Sequence, residues 1–173
     1  MAVIPVRPTP DEFAPFYNTY VSKVFGDNIL ELLQEEHQKI VTFLEGVPEP
    51  KWDFRYAAGK WSIKEVLAHL NDSERVFAYR ALRIARNDKT PMPGFDQDEW
   101  MEALTVDHLS PKDLMADYKS TRAASMSLFN SFTDEIWMRR GKASGYTFSA
   151  RALAYIIAGH EQHHLQIIKE RYF

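Results

Sequence analysis

The stretch SARALAYIIAGHEQHHLQIIKERYF, residues 149–173, decides the fold. Leu153, Ile156, Ile157, Ile167 and Ile168 recur at helical spacing and mark one apolar face at ~100° per residue. His160 and His164 fall within roughly 20° of the centre of that face, one turn apart, and His163 sits roughly 80° away at its flank. Two inward imidazoles are costly unless hydrogen bonds or a shared cation satisfy them. The stretch also contains H-E-x-x-H (His160, Glu161, His164), the zinc signature of many metalloproteases. That reading needs a further ligand downstream, where only LQIIKERYF remains, and Glu170 is too near on the same helix to swing back. A di-iron bundle needs two Glu-x-x-His motifs and two more glutamates, and the chain has one match, Glu161 to His164. A third ligand has to come from upstream.

Three other segments show helical periodicity. Ile29, Leu32, Leu33, Ile40 and Leu44 predict a helix from about Asp27 to Glu45, stopped before Gly46 and Pro48. An earlier piece, roughly Asp11 to Lys23, has the pattern of a short helix of its own. In KWSIKEVLAHL, Ser62 is an N-cap and Glu65, three residues on, completes a capping box, so the next helix runs from there to about Arg86. Ser110 and Pro111 start another, predicted to reach about Trp137. GKASGYT then reads as a turn, and the last helix spans about Ser149 to Arg171. Between the second and third long helices lies NDKTPMPGFDQDEWMEALTVDHLSP, long for a helix–helix link and so a crossover or a lid. Four long helices with no convincing strand predict an all-α four-helix bundle, with the two helices around the long connection parallel.

The chain reads as one domain of 173 residues, with an extension at about 1–26 and a bundle at about 27–171. Its composition, 45% hydrophobic and 26% charged, is that of a soluble globular protein. With no cysteine, the chain cannot form disulfides, thiolate ligands or a cysteine nucleophile, so any thiol chemistry must use a thiol from a substrate. A cytoplasmic location is expected: no signal peptide is visible in MAVIPVRPTPDEF, and no stretch approaches the ~18 apolar residues of a membrane helix. The net charge of −3 argues against nucleic acid as a partner, because such affinity comes largely from neutralising phosphates.

His69, in EVLAHLNDSE, is the best upstream candidate for the third ligand. Its helix buries Ile63, Val66, Leu70, Phe77 and Ala81, and His69 lies at the edge of that stripe. The position suits a side chain reaching to a neighbouring helix and suits a half-exposed surface histidine nearly as well. His37 and His108 have weaker claims; His108 lies in the long connection and joins only as part of a lid. Arg80, on the same strip as His69 but roughly 16 Å along the axis, is read as a structural partner of a carboxylate. Glu74 and Arg122 suit an interhelical ion pair. Trp61 is placed at the mouth of the bundle and Trp100 as an anchor of the long connection. Asp96, Asp98 and Glu99 are read as solvated.

The segments GKWSIKEVLAHLNDSERVFAYRALRIAR, PKDLMADYKSTRAASMSLF and SARALAYIIAGHEQHHLQIIKERY together resemble the DinB-like superfamily, over roughly residues 28 to 171. That group includes YfiT-type metal-dependent hydrolases and transferases that use bacillithiol or mycothiol. The resemblance implies an up-down-down-up bundle and a metal held by three histidines, which fall here on His69, His160 and His164. It implies nickel or zinc, although imidazoles also suit copper and iron. It gives Glu161 no ligand role, leaving the H-E-x-x-H match largely a coincidence. It implies a small-molecule substrate, most plausibly a low-molecular-weight thiol transferred to an electrophile. A metal-dependent hydrolase and a non-catalytic, stress-related metal-binding bundle are the alternatives. A fourth ligand such as His163 or His108 would close the site and favour the last. Homodimers are common among such proteins, and a homodimer is one expected assembly.

Overall fold

The structure, a computed structural model, describes residues 6–26 and 28–173. Residues 1–5 of the expected extension, and Asp27 at the expected start of the first long helix, lie outside them. The long helices are α2 (Ile29–Glu45), α3 (Ile63–Ala85), α5 (Pro111–Asn130) and α7 (Ala150–Arg171). Each begins on a side-chain cap that satisfies an orphan backbone N–H: Asn28 accepts from Glu31, Ser62 from Glu65, Ser110 from Asp113 and Ser149 from Ala152. Ser62–Glu65 and Ser110–Asp113 are full capping boxes. Shorter helices are α1 (Asn18–Val21), α4 (Gln97–Ala103) and α6 (Asp134–Met138).

Cross-helix contacts fix the directions. Residue numbers rise together on α3 and α5: Asn71 Nδ2 donates to Asp117 at 2.9 Å, and Leu82 and Leu128 line one groove further along. Those two helices are parallel. The numbers run oppositely on α2 and α5, where Arg122 meets the Leu33 carbonyl at 2.7 Å and Lys119 meets Glu45 at 2.8 Å. They also run oppositely on α3 and α7, where Phe77 faces His160 and the Trp61 carbonyl accepts from the Tyr172 hydroxyl. The bundle is therefore up-down-down-up, and the long connection performs the crossover.

Three expectations are corrected. The helix that starts at Pro111 ends at Asn130, and Thr133 caps the separate α6 across the expected continuation to Trp137. Residues 141–147, read as a turn in a chain with no convincing strand, belong to an antiparallel hairpin of β1 (Arg140–Ala143) and β2 (Tyr146–Ser149). Its two-residue turn, Ser144-Gly145, has positive φ at both positions (50° and 81°), as a type I′ hairpin requires. The segment from Asp11 to Lys23 is two 3-10 turns followed by the single turn of α1 rather than one helix.

The core divides in two. One cluster gathers the N-terminal segment, the hairpin, Ile29, Leu33, Phe77 and, from α7, Leu153, Ile156 and Ile157. The other gathers Ile40, Leu44, Val66, Leu67, Tyr118, Leu165 and Ile168. Between them buried polar side chains cross the bundle: His69, Asn71, Glu74, Arg122, His160 and Glu161. Among the described residues no helix is long and apolar enough to cross a membrane.

Candidate metal centre

The polar layer holds the histidines. α3 presents His69 and α7 presents His160 and His164; the first two are each 5% exposed, and His164 is half-buried. His69 Nε2 and His164 Nε2 each lie 3.0 Å from His160 Nε2. One ligand atom from each of the three residues falls within 4.8 Å of the other two. A single ring nitrogen has one in-plane direction and one proton or one lone pair to offer. Three nitrogens turned toward one point are thus poorly served by hydrogen bonds among themselves. Tetrahedral zinc, with bonds of about 2.0–2.1 Å, sets its nitrogens about 3.3 Å apart. The donor set fits a borderline divalent transition metal.

The surroundings favour the neutral imidazoles that a metal needs. Burial holds His69 down at about 4 and His164, beside His69 and His163, down at about 3. Burial, and then the neighbouring His164 and His69, push His160 well below its usual value. Aromatic rings hold these side chains. Trp61 lies 4.9 Å from His69 and stacks on His164 at 6.3 Å, and Tyr20 of α1 meets His160 edge-on at 5.0 Å. Gly159 permits that last contact, because a Cβ there would sit 2.1 Å from the Tyr20 carbonyl oxygen.

A cavity of about 270 Å³ opens beside His164, walled by Tyr56, Trp61, Val66, Ile167 and Tyr172 with Lys60 and Asp98. Larger hollows of about 620 and 400 Å³ lie on the α2–α5 and α3–α5 faces and include none of the three histidines. The remaining candidates are elsewhere. His163 packs on Tyr20 at 5.4 Å, His37 on Tyr118 at 4.7 Å, and His108 is exposed. None of them joins the group of three.

Glu161 points away from the three nitrogens into the bundle. Tyr118 donates to its Oε1, and Arg122 Nη2 lies 3.1 Å from the same atom. Arg122 also forms a bidentate pair with Glu74 at 2.9 and 3.0 Å, the ion pair expected from sequence. Burial, and then the Glu74 charge, raise Glu161 well above the carboxylate range. Among the described residues Arg80 has structural partners but no carboxylate: its Nη2 donates to the Pro93 carbonyl and to Ser144 Oγ, fastening the long connection to the hairpin. Trp100 packs on Phe95 at 4.5 Å within the long connection and stays 44% exposed, so it is not buried against the bundle as an anchor would be. Asp98 is exposed as expected, but it also lines the cavity beside His164. Sequence reasoning missed that placement, since no periodicity fixes the path of the long connection.

A four-helix bundle with convergent imidazoles from its second and fourth long helices is the class of protein that this geometry defines. The chain belongs to the DinB superfamily, whose sequence profile matches residues 32–168. It is 23% identical over 120 residues to YfiT of Bacillus subtilis, provisionally named a metal-dependent hydrolase. It is 30% identical over 125 residues to OB0413 of Oceanobacillus iheyensis, which carries the same provisional name. The alignments cover 69% and 66% of this chain, and 67% and 66% of the two relatives. The solved structure of YfiT, described as an unusual four-helix bundle, superposes with a TM-score of 0.71 at 18% identity, covering 98% of this chain and 93% of YfiT. A mycothiol-dependent maleylpyruvate isomerase gives 0.67 at 15% identity, covering 84% of this chain and 61% of the isomerase. At those identities the two structures speak for the fold.

Proposed function

We propose that His69, His160 and His164 hold one divalent transition metal, nickel or zinc, and that the protein is a metal-dependent enzyme acting on a small molecule. The convergence of three buried imidazole nitrogens beside an aromatic-walled cavity carries this reading. The provisional names of the relatives support metal dependence. Bound there, the metal supplies Lewis-acid chemistry: it polarises an oxygen or ionises a thiol. The residues do the rest. Burial keeps the three imidazoles unprotonated and ready to bind, and Trp61 holds His69 and His164 in place. Tyr56, Trp61 and Tyr172 offer flat apolar walls to a substrate of modest size, and the cavity volume of about 270 Å³ matches one.

The reaction we propose is transfer of a low-molecular-weight thiol to an electrophile. A chain without cysteine needs its thiol from outside, and the structural likeness to a mycothiol-dependent isomerase favours one. Hydrolysis is the second reading, favoured by the names of YfiT and OB0413. The test is a screen of the zinc- and nickel-loaded protein against thiols paired with electrophiles, alongside ester and amide substrates, with His160→Ala as control. Thiol consumption that requires metal and vanishes in the variant is expected. Metal-dependent hydrolysis without thiol transfer would replace the first reading with the second. No turnover above the variant in either set would overturn both.

A further inference from the structure

The three proposed ligands are neutral, so a dication among them would bring two uncompensated positive charges into the middle of the bundle. The buried carboxylates nearby do not offset it. Glu74 and Glu161 border a small void against His160, but Arg122 and Tyr118 already engage them. One carboxylate stands on the other side, on the wall of the cavity that also exposes His164 and Trp61: Asp98 of α4. Among the described residues its carboxylate makes no hydrogen bond or ion pair; only its backbone N–H is engaged, by Asp96.

Core packing does not account for this placement, because α4 buries none of its residues. The short helix is held instead from its edges. Asp96 caps its start, Phe95 packs on Trp100, Arg80 grips the Pro93 carbonyl upstream, and Val106 is buried downstream. The long connection is thus fastened at both ends and presents an unpaired acid at the mouth of the site.

We propose that Asp98 is the anionic partner of the metal centre, balancing from the cavity wall the charge of a cation that His69, His160 and His164 would hold. This inference rests on the metal reading above. Asp98 does not belong to the ligand group itself, which contains the histidines alone. Asp98 acts through its charge alone, without a hydrogen bond to a ligand, so its contribution is that of a partly screened ion pair, up to about 1 kcal/mol, which is about fivefold in affinity.

The test measures zinc affinity by competition with a chromophoric chelator, for the full-length protein, Asp98→Asn and Glu99→Gln. Glu99 is a neighbouring exposed acid of α4 that does not line the cavity. Helical content by circular dichroism accompanies each measurement; both positions are exposed, and all three proteins should match. Asp98→Asn should bind zinc about fivefold more weakly, with Glu99→Gln close to the parent. Equal affinity in the parent and Asp98→Asn would overturn the inference. Equal weakening by both substitutions would also overturn it, because the effect would then be diffuse surface charge. An unaltered protein that binds no zinc would instead remove the metal reading itself, a result distinct from either.

Discussion

Arg122 holds the centre of the bundle together. Its guanidinium is nearly fully buried, pairs bidentately with Glu74, donates to the Leu33 carbonyl and approaches Glu161, so it joins α5 to α2, α3 and α7. Two carboxylates share that one cation. Burial, and then the Glu74 charge, disfavour the anion at Glu161, whose Oε2 has no hydrogen-bond partner. Removing the cation leaves Glu74 buried and charged, a loss of about 3–5 kcal/mol. Glutamine at 161 keeps the side-chain oxygen that meets Tyr118 and Arg122 and removes an anion that burial disfavours. Urea unfolding at pH 7 should therefore show a large loss for Arg122→Met and less than about 1 kcal/mol for Glu161→Gln; equal losses would show that the bundle depends on a charged Glu161. The inward turn of His160 and His164 was legible from periodicity alone. His69 was not, because a residue at the edge of an apolar stripe serves the surface equally well, and only the resemblance to a family decided it. Glu161 shows the converse: the motif draws attention to a residue whose partners are set by three other helices.

Elements differ in how openly they declare themselves. The four long helices carry caps and a 3.6-residue period, and apart from the early end of α5 they fall within a few residues of where the sequence puts them. The hairpin was missed because its strands are four residues each and β1, Arg-Gly-Lys-Ala, lacks an alternating apolar pattern, although β2 alternates and Ser-Gly is a turn signal that pairing can exploit. The break between α5 and α6 was missed for a similar reason: Ser131 to Thr133 contains neither glycine nor proline. Gly159 lies within α7, where alanine would ordinarily gain about 1 kcal/mol. Here its Cβ would collide with the backbone of α1, which cannot swing aside as a long side chain can. Overpacking of this kind costs about 1–3 kcal/mol and outweighs the gain in helix propensity. Gly159→Ala should accordingly lower the urea midpoint. A higher midpoint would show that α1 does not lie on α7 and that Tyr20 does not brace His160.

At the scale of the molecule, two apolar clusters are joined by a polar layer, and that layer contains both the histidines and the Arg122 network. An apolar layer would pack at less cost, since buried polar groups must each find a partner. The Arg122 guanidinium finds its partners within the protein; the three imidazoles converge on one another, and a cation is the partner that would satisfy them together. The parallel relation of α3 and α5 was legible from the length of the connection between them, whereas the position of α4 over the cavity depended on contacts made far along the chain. The most direct test of the account is metal content by plasma mass spectrometry, on untagged protein and on His69→Ala prepared in parallel. Near-stoichiometric nickel or zinc in the first, lost from the second, is the result predicted. Metal retained by His69→Ala, or no metal in either after reconstitution, would contradict a centre built from His69, His160 and His164.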